Sequence, residues 1–222
     1  MRIAAFETSG DWCSVALSLE GELRGRELRA GTRHSEFALP MLQALLAEAR
    51  LKASDLQAVA FGAGPGSFTG LRIACGIAQG LALARDLPVL GISSFEAIAE
   101  EAAAPRVVAC VDARMREVYY AALEKRGTRW VEVVTGRCVP PQEVPAPPGA
   151  GWIGCGSGFV AFPDLLKGSL AAVQPEVHPT AMAVATLALP RLAAGEGVDA
   201  ALALPVYLRD KVAFTQQELA SR

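Results

Sequence analysis

The chain is poor in the residues from which metal and phosphate sites are most often built. It holds two histidines, His34 and His178, so a metal centre resting on paired imidazoles has almost no material to work with. No lysine stands between Lys52 and Lys125, which removes the phosphate-reaching lysine that a Walker A loop needs after its glycines. The five cysteines (Cys13, Cys75, Cys110, Cys138, Cys155) are scattered with no C-x-x-C pair, a pattern of reduced, buried thiols. No apolar run reaches the roughly 18 residues of a membrane span. The opening "MRIAAFETSG" is too short and too polar for a secretory leader, so the expected location is the cytoplasm. Charge of one sign is lacking as well. With a net charge of −2 and a pI near 5.8, no basic field gathers nucleic acid, and any RNA contact is expected to run through a partner.

What is present is an ordinary globular composition, 52% hydrophobic and 20% charged over 222 residues. "RIAAFETS" and "WCSVALSLEG" read as strands joined by the turn Ser9–Asp11, and "GELRGRELRA" as a charged edge strand. Apolar spacing predicts helices over His34–Arg50 and Phe68–Arg85, with "LQAVAFGAG" a buried strand between them. "LPVLGIS" is a strand, and Ser94–Ala104 a helix ending before Pro105. The pattern then starts again with the strands "RVVACVDAR", "EVYYAALEK" and "TRWVEVVTG", a loop at Pro140–Pro148, and the strand "GWIGCGSG". A short helix in "FVAFPDLLKG", the strand "LAAVQP" and a helix over Thr180–Ala194 complete it; the tail from Leu204 reads as helical or frayed.

The repetition predicts a duplicated α/β protein, two βββαβα halves at residues 1–104 and 105–205 with a tail over 206–222. Facing halves of this kind make the actin-like, Hsp70-like (ASKHA) architecture, with a nucleotide cleft between them. Glu7, Thr8, Ser9 and Asp11 end the first strand and Asp112 its counterpart, so these residues are the candidate cleft. They read either as a Mg²⁺-nucleotide site or as polar residues ending strands and capping turns.

The run Gly62–Gly80, "GAGPGSFTGLRIACGIAQG", is the strongest local signal. It fails as a Walker A loop for want of lysine, and it fails as a dinucleotide fingerprint because Ser67 stands where the third glycine belongs. What remains is a strand, a turn and a helix start capped by Ser67 or Thr69. Gly76 and Gly80 lie one turn apart inside that helix, where each glycine costs about 1 kcal/mol relative to alanine. Close approach of a second helix would compensate. "PGSFT" is also not the G-x-S-x-G elbow of a serine hydrolase, and His34, at a helix start with no second histidine nearby, makes no triad.

These segments resemble a known family. "GPGSFTGLR", with "FETSGDWCSVAL" before it, "GISSFEAIA" after it and "DARMREVYYAAL" in the second half, is similar to the TsaB (YeaZ) family, from Ile3 to about Arg209. The resemblance implies a bacterial protein needed for threonylcarbamoyladenosine in tRNA, working beside the catalytic paralogue TsaD and the ATPase TsaE. Against TsaD, Ser94 and Ile98 stand at two metal-binding histidine positions, and Arg114, Met115 and Arg116 fill a turn that is glycine-rich there. The expectation is a non-catalytic subunit with no metal and no cofactor of its own, ATP or ADP binding at most weakly or in the complex. Its expected partner face comprises Ala38, Met41 and Leu45 of the first helix and Ile73, Gly76, Gly80 and Leu83 of the second. That face would also pair with a second copy as a homodimer, and tRNA would be touched only through the complex. The alternatives are a nucleotide-dependent enzyme of the actin and sugar-kinase superfamily, and a glycoprotease-like peptidase.

Overall fold

A computed structural model describes residues 1–209 of the chain, and the part of the expected tail beyond Arg209 lies outside the described residues. Two five-stranded mixed sheets form the frame. In the first, β1 (Ile3–Glu7), β2 (Trp12–Leu19) and β3 (Glu22–Arg29) run antiparallel, while β4 (Ala58–Gly64) and β5 (Val89–Ser93) add in parallel, giving the order β3-β2-β1-β4-β5. In the second, β6 (Arg106–Asp112), β7 (Val118–Arg126), β8 (Arg129–Val139), β9 (Ile153–Cys155) and β10 (Ala172–Gln174) repeat that order. The duplicated actin-like α/β fold follows from this equivalence.

Sequence composition explains strand position. β1 and β4, written IAAFE and AVAFGAG, are buried at every residue because both faces of the central strands are covered. β3, written ELRGRELR, is the exposed edge, where alternating charges discourage pairing with another chain. The helices are α1 (His34–Glu48), α2 (Phe68–Leu83), α3 (Ser94–Glu101), α4 (Gly158–Ala161) and α5 (Ala181–Ala193). Helix α1 has no counterpart in the second half, where the proline-rich segment and a single 3₁₀ turn, Pro141–Glu143, take its place.

The layers run α1/α2, first sheet, α3/α5, second sheet, α4. Helices α3 and α5 lie between the sheets, and they change sides. α5 packs on the first sheet although it follows the second in sequence, and α3 packs on β6 and β7. Two equivalent glycines admit them. A Cβ on Gly25 of β3 would stand 2.8 Å from the Met182 side chain of α5, and one on Gly136 of β8 would stand 2.8 Å from Phe95 of α3. Residues 105–205 thus supply a helix to the core of residues 1–104, where α5 covers the inner face of the first sheet together with α3.

Candidate functional site

The β1–β2 turn carries most of the candidate cleft residues, and the glycine stretch is fitted against it. Glu7, Thr8 and Ser9 are buried. The Ser9 N–H donates to Glu7 Oε1 at 2.6 Å, the Thr8 hydroxyl to the Gly70 carbonyl at 2.7 Å, and the Ser67 N–H to the Ser9 carbonyl at 2.7 Å. A Cβ on Gly62 would overlap Glu7 Oε2, one on Gly66 would lie 2.5 Å from the Ser9 carbonyl, and one on Gly70 would overlap the Thr8 carbonyl. The early glycines therefore let the β4–α2 connection sit directly on the turn. Ser67 caps α2 by accepting from the Gly70 N–H at 3.3 Å.

The consequence corrects part of the expected site. Glu7 and Thr8 point into this packing and do not line the cleft, whereas Ser9, Asp11 and Asp112 do. Burial raises the Glu7 carboxyl from 4.5 to about 7 against the opposing bonds from Ser9, and its Oε2 has no hydrogen-bond partner. His34 is likewise buried, and desolvation lowers its pKa. The thiols of Cys110 and Cys155 are pushed up to about 12 by burial, which makes them poor nucleophiles.

Between the two sheets lies a cleft of about 970 Å³. Trp12 stacks on His178 along one wall, with ring centroids 4.7 Å apart. The cationic residues that face it are already engaged. Arg29 meets Asp11 at 2.9 Å, Arg114 meets Asp112 at 3.1 Å and reaches toward Asp11 at 3.9 Å, and Arg209 pairs with Glu117. Arg114, Met115 and Arg116 form the β6–β7 turn with φ of 60°, 55° and 60°. That left-handed backbone favours glycine, and a run of three non-glycine residues in it is strained. Arg114 and Met115 of this turn line the cleft. Among the described residues, no three His, Cys, Asp or Glu side chains gather as metal ligands would.

The residues expected to form a partner face differ in exposure. Ala38 and Leu45 are fully buried in the cluster between α1 and the first sheet, so they are core residues; the wide apolar face of α1 is turned into the sheet more than expected. Met41 is half-buried against the same cluster. On α2 the outcome differs. Gly76, Gly80 and Leu83 are exposed, Ile73 is half-buried, and a Cβ on either glycine would meet nothing within 4 Å. A different flank of α2 is covered by the chain's own segment after Ala200. Cys75 Sγ and Gln79 Nε2 donate to the Ala203 carbonyl at 3.4 and 2.9 Å.

Comparison with known proteins places this arrangement. The chain is 38% identical over 224 residues to the tRNA threonylcarbamoyladenosine biosynthesis protein TsaB of Escherichia coli K12, spanning 96% of this chain and 97% of that protein. The chain belongs to the TsaB (YeaZ) family. The TsaB protein of Haemophilus influenzae is 34% identical over 227 residues and 96% of each chain. The solved structure of YeaZ from Pseudomonas aeruginosa matches with a TM-score of 0.88 at 38% identity, over 93% of this chain and 99% of that one. The family profile of TsaD, tRNA N6-adenosine threonylcarbamoyltransferase, matches residues 28–151. That match includes Ser94 and Ile98. Both are fully buried here, and Ile98 belongs to the apolar core between the sheets.

Proposed function

We propose that this TsaB-family chain is a non-catalytic subunit in the formation of threonylcarbamoyladenosine on tRNA. It supports the transferase TsaD, with the ATPase TsaE in the same cytoplasmic assembly, and it contacts tRNA only through that complex. The observation that carries this reading is the β6–β7 turn: Arg114 and Met115 line the cleft, and Arg114 ties Asp112 toward Asp11. Arg29, Arg114 and Arg209 are already paired with carboxylates, which leaves them less free to stabilise a transferring group. ATP or ADP therefore binds the isolated chain weakly or only in the complex, and no metal is required. The exposed face of α2 around Gly76 and Gly80 docks TsaD, and in its absence a second copy.

Reconstitution tests the reading. Transfer of threonylcarbamoyl to tRNA should need TsaD, should be stimulated by this chain, and should survive when the chain carries Asp11→Asn together with Asp112→Asn. If the double variant still binds TsaD but transfer collapses, the cleft is catalytic and the proposal is wrong. Calorimetry adds a second criterion, because a submicromolar constant for ATP with the isolated chain contradicts a filled phosphate turn.

A further inference from the structure

We infer that residues 203–209 form a clasp that holds the two halves closed across the cleft. The segment runs over the surface from one half to the other, and each end is anchored differently. On the first half, the Ala203 carbonyl receives Cys75 and Gln79 of α2, and the Val206 N–H donates to the Ala63 carbonyl at the end of β4 at 2.7 Å. Gly64 makes room there, since a Cβ on it would stand 2.6 Å from the Val206 carbonyl. Tyr207 lies against Phe68 with centroids 5.3 Å apart, and its hydroxyl accepts from Arg72 Nε at 3.0 Å.

The second anchor is on the other half. Leu208 packs against the core between the sheets, and a Cβ on Gly136 of β8 would lie 3.5 Å from it. Arg209 pairs with Glu117, donates to the Arg114 carbonyl at 3.4 Å, and lies over the Tyr119 ring at 5.8 Å. It thus grips the strained β6–β7 turn whose Arg114 faces Asp11 of the first half. Val206, Tyr207, Leu208 and Arg209 all line the cleft.

The seat is reversible by construction. Leu204 and Val206 are 69% and 51% exposed, so the strap is laid on the surface rather than threaded through the core. A contact with few buried apolar groups opens at lower free energy than the sheets beneath it. The α3/α5 layer, whose edge Leu208 touches, stays packed beneath the strap. With the clasp seated, the cleft is held at the closure that brings Arg114 toward Asp11; with it released, both walls are free to part. The seat also occupies the flank of α2 next to Gly76 and Gly80, so whatever covers that face lies beside the clasp.

Amide hydrogen exchange on the full chain tests this, with Arg209→Ala at one anchor and Tyr207→Ala at the other. The reporters on the second-half wall are Ala113 and Glu117, which bond to Glu117 and Arg114 carbonyls; those on the first-half wall are Ala30 and Gly31, which bond to the Asp11 carbonyl. Both variants should speed exchange at all four by about tenfold, equivalent to opening made about 1.4 kcal/mol easier. Val184, inside α5, should keep its wild-type rate, and Arg209→Lys should restore most of the protection. Acceleration confined to Ala113 and Glu117 would show a strap that covers only its own turn, and overturns the inference. So does an unchanged rate at all four, or an equal acceleration that includes Val184 in both variants, which would make the segment part of the core.

Discussion

Glu7 shows how one side chain can set the pH behaviour of the whole chain. Its folded pKa, near 7, lies above the ordinary 4.5 because burial disfavours the charged form. The folded state therefore holds a proton that the unfolded state has released, and stability falls as pH rises from about 4.5 through 7. For a fully buried carboxyl the loss is on the order of 3 kcal/mol. His34, lowered by burial, pulls the other way over the same window. In denaturant unfolding at pH 5 and pH 8, Glu7→Gln should therefore gain stability relative to the wild type on going to pH 8; a difference between the two chains that stays constant would contradict it. The glycines give a second contrast at this scale. Gly70→Ala puts a methyl onto the Thr8 carbonyl, a rigid backbone atom, and should destabilise by about 1–3 kcal/mol. Gly80→Ala enters open space on an exposed helix face and should stabilise by about 1 kcal/mol. Parallel melts of the two variants decide it, and equal effects would show that Gly70 does not sit against the Thr8 carbonyl.

Helix α2 presents three faces with different owners. Leu71, Ala74, Ala78 and Ala82 are buried, most of them against the first sheet; Arg72, Cys75 and Gln79 hold the strap; Gly76, Gly80 and Leu83 are open. Glycine on the open face weakens the helix, which a closely packed partner helix would offset. Gly76→Arg should leave the thermal midpoint of the isolated chain nearly unchanged while abolishing co-purification with TsaD. Wild-type recovery of TsaD by that variant would move the interface elsewhere. Helix α1 supplies the opposite control. Leu45→Ala removes a fully buried side chain and should cost about 2–5 kcal/mol, so its loss of association would accompany loss of fold.

At the scale of the molecule, α3 and α5 make the two halves one folding unit. The inner face of the first sheet, with Ile3, Ala5, Ala58 and Ala60, is covered by α5 from beyond residue 180. A fragment of residues 1–104 should expose that face, lack a cooperative unfolding transition and bind hydrophobic dye; adding residues 105–222 in trans should restore the transition. A sharp, dye-free melt of the fragment alone would show that the halves are independent after all.

Sequence by itself determined the elements and their duplication, because strand and helix periods are local properties. The strand β1, the buried run of β4, the charged edge β3 and the cap at Ser67 were legible for that reason. It also excluded a Walker A loop and a paired-histidine metal site, since those need particular residue types that are missing. What it could not supply was which of several apolar faces meets which. Ala38 and Leu45 look like spare surface until α1 is seen turned into the sheet, and α5 looks like part of the second half until Gly25 is seen to admit Met182. Glu7 reads as a cleft acid until Gly62 is found closing over it. The strap at 203–209 has no period at all. Each of these depends on contacts between residues far apart in the chain, where side-chain volume and close backbone approach decide the outcome, and only the tertiary structure holds that information.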